Sequence, residues 1–92
     1  MNSVLQVKKE CFVCKTTYGL HDHHIVYGTA NRKKSEEYGF KVWLCGRHHN
    51  LSNEGVHFNR ELDLKLKRIA QEKWLAGGHT KEEWHQEFGK WY

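Results

Sequence analysis

The sequence predicts one α+β domain over residues 1–92, with two short strands early in the chain and two helices after them. Three observations carry that prediction. Segments 20–27 and 40–44 are rich in β-branched and aromatic residues, the first stopped by Gly28 and the second preceded by Gly39. In segment 56–76, Phe58, Leu62, Leu66 and Ile69 follow the i, i+4, i+8, i+11 spacing of a buried helical stripe. Cysteine and histidine fall in close pairs, Cys11/Cys14 and Cys45/His48, outside the two strand segments.

Residues 1–10 form a polar lead-in with a short strand expected over 4–7. Cys11-Phe12-Val13-Cys14 has the form of a tight turn with a ligand at each end. Residues 20–27, ending in Ile25, Val26 and Tyr27, make the first strand. Residues 31–38 are polar and charged and predict a loop with one helical turn, closed by Gly39. Residues 40–44 make the second strand, so the two strands form a hairpin with a long connection. The helix over 56–76 carries Arg60, Glu61, Lys65, Lys67, Arg68 and Glu72 largely off its apolar stripe, and Gly77-Gly78 ends it. Thr80 and Glu83 have the spacing of a capping box, which starts a last short helix. Its aromatics, Trp84, Phe88 and Trp91, supply packing area. The chain has no proline, so reversals rely on Gly, Asn and Asp.

A 92-residue chain buries a modest core, and domains of this size often add a staple. Three cysteines cannot all pair within one chain. The first residues lack an apolar leader, and no stretch approaches the ~18 apolar residues of a membrane span. Reduced, metal-bound thiols in a cytoplasmic protein are therefore expected. The net charge of +4 favours polyanions as partners. Eight histidines are present, five of them in two tight groups at 21/23/24 and 48/49, as a metal or catalytic site requires.

Cys11-x-x-Cys14 and Cys45-x-x-His48 are two halves of a Cys3His set. A two-residue gap lets both ligands of a half reach one ion, and strand pairing would bring the halves together. A structural zinc with four protein ligands is expected, with Zn–S near ~2.3 Å and no open position for catalysis. Its binding would contribute directly to folding.

The runs His21-Asp22-His23-His24-Ile25 and Leu44-Cys45-Gly46-Arg47-His48-His49 together resemble the HNH endonucleases of the His-Me finger superfamily. The likeness covers Cys11 to about His57 and is similar in particular to the short HNH proteins of bacteriophages and prophages. It implies a ββα-metal core over residues 11–57, with residues 58–92 a helical extension, and metal-dependent cleavage of DNA. It implies further that His24 is the general base, that His23 and His49 bind a catalytic divalent cation, and that His57 supplies another ligand. That ion would be Mg2+, Mn2+, Ni2+ or Zn2+, and Asp22 is a further candidate to bind it or to orient a histidine. Many family members carry Asn about five residues before the third cysteine. Phe40 stands there, which leaves Asn31 and Asn50 as candidates for that role. His21 is expected at the surface or behind a ligand, and His79 and His85 are expected to be structural or solvated.

Arg32, Lys33 and Lys34, beside the active-site strand, and Arg47, in the second ligand pair, are the expected phosphate contacts. Lys65, Lys67 and Arg68 form a more ordinary basic surface. Nothing resembles a base-reading helix, so weak sequence specificity is expected. The resemblance implies DNA as partner, with a homodimer or a larger phage DNA-processing or packaging complex as the assembly. The alternative is a catalytically silent zinc knuckle that binds nucleic acid, and a third reading is a zinc-stabilised interaction module.

Overall fold

The computed structural model describes residues 3–92, so the first two residues of the expected lead-in lie outside it. It is a small α+β structure with the order β1 (Leu20–His24), α1 (Thr29–Tyr38), β2 (Lys41–Cys45), α2 (Gly46–His49), α3 (Arg60–Ala76) and α4 (Lys81–Phe88). The strands pair antiparallel, with Leu20 opposite Cys45, His23 opposite Val42 and His24 opposite Lys41. Side chains alternate along a strand, so His21 and His23 share one face with Val42 and Leu44. Asp22 and His24 share the other face with Lys41 and Trp43.

β1 stops at His24, three residues short of the expected end, although Ile25 and Val26 are fully buried. Their amides leave the ladder for other partners: Ile25 N–H donates to Phe40 O at 2.9 Å and Val26 N–H to Ser35 Oγ at 3.1 Å. Residues 4–7 are not a strand. Instead they line the free edge of β2, where Val4 N–H donates to Gly39 O and Gln6 Oε1 accepts from Trp43 N–H. Such cover removes an open pairing edge.

The expected loop at 31–38 is a ten-residue helix, α1. Two inward residues hold it. The buried Ser35 hydroxyl donates to Val26 O at 2.7 Å while accepting that residue's N–H. Tyr38 packs edge-on against Trp74, with ring centroids 5.1 Å apart. Gly39, at φ 74°, takes the left-handed turn that ends the helix, and Phe40 N–H closes it on Ser35 O.

α3 begins at Arg60, four residues later than expected, because Asn59 caps it by accepting Leu62 N–H. Phe58 therefore lies outside the helix and is 65% exposed. The buried stripe is Leu66, Ala70 and Trp74, flanked by the half-buried Leu62 and Ile69. α4 starts on the expected capping box, with Thr80 Oγ1 accepting Glu83 N–H and Glu83 Oε1 accepting Thr80 N–H. It delivers Trp84 and Phe88 to a core shared with Phe40 and Trp74. No helix among the described residues is long and apolar enough to cross a membrane.

Candidate metal centres

Strand pairing brings the two ligand pairs together. Cys14 Sγ lies 3.7 Å from Cys45 Sγ, and His48 Nδ1 lies 3.3 Å from Cys45 Sγ and 3.8 Å from Cys11 Sγ. Four donors around one tetrahedral ion with Zn–S near ~2.3 Å stand about 3.5–3.8 Å apart. The spacing therefore fits a metal ion such as zinc, held by Cys11, Cys14, Cys45 and His48. The first half is shaped by the turn in which Lys15 N–H donates to Cys11 O and Cys11 N–H to Thr16 O. Burial alone would raise the Cys11 thiol, but backbone amides at Cys14, Cys45 and Val13 outweigh it and lower it to about 6. That favours the thiolate a metal requires.

A second cluster lies on the His21/His23 face of β1. His23 comes from the strand, His49 from the end of α2, and His57 from the turn that follows. That turn folds back because Val56 N–H donates to His48 O and His57 N–H to His49 O. Gly55 permits the approach, since a Cβ there would meet His49 O at 2.7 Å. One ring nitrogen from each of the three histidines lies within 4.8 Å of the others, and His49 Nε2 and His57 Nε2 are 3.1 Å apart.

His23 is 2% exposed, and its Nε2 has no hydrogen-bond partner. Burial, then the neighbouring His49 and His57, lowers His23 to about 3; burial, then His57 and His21, lowers His49 to about 4. Both imidazoles are thus neutral near pH 7, the form that ligates metal. A buried nitrogen without a partner is costly, and a cation shared with His49 and His57 would satisfy it. The three residues could hold a divalent ion, and they line a cleft of about 590 Å3.

His24 lines that cleft together with His23, His49 and His57, although His24 occupies the opposite strand face. Arg32 and Lys33 also line it. Lys34 instead pairs with Glu87 on α4 at 2.7 Å, and Arg47 pairs with Glu54, so both have partners within the chain. On α3, Lys65 and Arg68 are exposed, whereas Lys67 is buried, bonded to Asp63 and set over the rings of Tyr27 and Tyr92.

Neither asparagine candidate reaches the cleft. Asn31 Nδ2 donates to Phe88 O at 3.2 Å and ties α1 to α4, while Asn50 ends α2. Phe40 is in the core. Asp22 lines the cleft but groups with His24 and Glu36 rather than with the three histidines. Lys41, 3.7 Å from Asp22 and 2.5 Å from Glu36, gives that acidic group an internal cation. His79 stacks on Trp74 and His85 is exposed, in keeping with their expected roles.

Three contributors escaped the sequence reading or were left general by it. His21 Nδ1 lies 2.9 Å from His49 Nδ1, behind the ring nitrogen that faces His57. The alternation of His21 and His23 on one strand face was the available signal for that placement. Tyr27 walls the cleft, its ring centroid 5.0 Å from that of His57. Glu36, from α1, bonds His24; its role depends on a helix the sequence did not announce. In comparisons with family models, curated proteins and solved structures, the chain matches none.

Proposed function

We propose that the chain is a metal-dependent DNA endonuclease of the HNH type, with β1, β2 and α2 forming a ββα-metal core around a divalent cation. The observation that carries this reading is the buried, unpartnered Nε2 of His23, set beside His49 and His57 in a cleft that His24, Arg32 and Lys33 also line. The motif resemblance supplies the reaction class, and the cleft supplies a place for it.

On this reading His23, His49 and His57 hold the ion. A divalent cation held there would supply electrostatic stabilisation of the negative charge that develops on the phosphate. His24 accepts the proton of the attacking water, as an imidazole can near neutral pH. Arg32 and Lys33 draw the phosphate backbone into the cleft without reading bases. The Cys3His zinc keeps the strands and α2 in place and takes no part in the reaction. Phage DNA processing or packaging, by a homodimer or within a larger complex, is the setting the family resemblance suggests.

The silent nucleic-acid-binding module is the second reading, favoured by the absence of an asparagine in the cleft. Supercoiled plasmid incubated with the protein and Mg2+, Mn2+, Ni2+ or Zn2+ separates the two. The nuclease reading expects metal-dependent nicking that His24→Ala lowers by about 100-fold or more. Retention of plasmid on the protein without nicking under any of these metals selects the silent module.

A further inference from the structure

The asparagine that the family resemblance implies is replaced by the core residue Phe40, and neither Asn31 nor Asn50 reaches the cleft in its stead. Another group occupies the position beside His24. Glu36 Oε2 lies 3.1 Å from His24 Nε2, on a ring whose side chain is 15% exposed. The same oxygen lies 2.5 Å from Lys41 Nζ. Lys41 is the cross-strand neighbour of His24 and is 3% exposed. The carboxylate is therefore gripped by two residues fixed in register on the sheet.

Glu36 itself stands on a rigid element. The residue before it, Ser35, is bonded twice to Val26, and the helix carrying both is closed at Gly39. We infer that Glu36 is the positioning residue for His24: its carboxylate accepts a hydrogen bond from Nε2–H, orients the ring and leaves Nδ1 as the basic nitrogen. This rests on the reading of His24 as general base.

The tautomer follows from donor and acceptor chemistry. Lys41 first, and His24 second, hold the Glu36 carboxyl below the usual carboxylate range, so near neutral pH it is ionised. An ionised carboxylate only accepts hydrogen bonds, so the proton between the two groups belongs to His24 Nε2. A neutral imidazole carries one proton, which leaves the lone pair on Nδ1. A base in a single tautomer and orientation meets water productively more often than one that rotates and switches.

The test has two readouts. Imidazole nitrogen NMR on the zinc-bound protein above pH ~8, with His24 assigned from a His24→Gln sample, reports the tautomer directly. Wild type is expected as the Nε2–H form, and Glu36→Gln, whose amide can donate to Nε2, is expected to shift it toward Nδ1–H. An Nδ1–H wild type, or identical spectra for the two proteins, overturns the inference. In the plasmid assay, Glu36→Gln should lower kcat by about 10- to 100-fold. KM should stay level or fall, because a negative charge is removed from beside Arg32 and Lys33, and Glu36→Asp should recover part of kcat. A purely structural role would show as lost folding without that split, and unchanged kcat in Glu36→Gln also overturns the inference. If wild type nicks nothing under any metal, the nuclease reading falls by itself, and the tautomer measurement still decides whether Glu36 governs His24.

Discussion

Two of the candidate ligand clusters are neighbours in sequence, since His48 belongs to one and His49 to the other, yet they differ in donor number and in exposure. The Cys3His set has three of its four ligands buried, and its donor spacing closes a tetrahedron. The His23–His49–His57 set has three donors and an open side on the cleft. One turn of helix sends adjacent imidazoles in different directions, so α2 contributes to a largely buried candidate cluster and to one that lines the cleft. Coordination number, more than residue type, separates a scaffold from a reactive site.

Four experiments would break or sharpen that contrast. The largest effect is expected from Cys45→Ser, which removes a ligand of the Cys3His set. Structural zinc in small domains is worth on the order of 10 kcal/mol, more than a chain of this size can spare. The variant should lose cooperative thermal unfolding in circular dichroism, and a cooperative, zinc-free variant would refute the staple.

His57→Ala should act only on the open centre. His57 is exposed, so melting should change little, while calorimetric affinity for Mn2+ or Ni2+ at the second site should fall by about 100-fold. Unaltered affinity would leave His57 out of the ligand set.

His21→Ala removes the group behind His49 without removing a ligand. Outer partners of metal-bound histidines are typically worth 10- to 100-fold in affinity, so an intermediate loss is expected in the same titration. A loss as large as that of His57→Ala would make His21 a ligand in its own right.

The smallest effect concerns DNA. Replacing Arg32 and Lys33 together by Ala should reduce the slope of log affinity against log salt by about 2. The Lys34→Ala and Arg47→Ala variants should leave it unchanged, because those cations already have carboxylate partners. Equal effects from both pairs would mean that DNA contacts a wider surface than the cleft.

Much of this arrangement was legible in the sequence, and the gaps have physical causes. The Cys3His spacing, the Thr80–Glu83 capping box and β2 were visible because each depends on residues close in the chain. α1 was hidden because its inward anchors are a serine and a tyrosine, which leave no apolar period to find. The start of α3 was misplaced because Phe58 fits the apolar stripe by spacing, whereas Asn59 decides the boundary by capping. Lys67 has the spacing of a surface cation but is buried, since Asp63 one turn earlier and two tyrosine rings from distant segments enclose it. The cluster of His23, His49 and His57 was anticipated through family resemblance, but the His24–Glu36 contact needed the helix between the strands.

That helix has a consequence for engineering. It runs between Gly28 and Gly39 and carries Arg32, Lys33 and Glu36 while contributing nothing to the Cys3His set or to His23, His49 and His57. On the proposed reading its outer face is interchangeable: a ten-residue helix that keeps Asn31, Ser35, Glu36 and Tyr38 but changes its exposed cations would rewrite how the enzyme grips its polymer while leaving both candidate ion sites as they are.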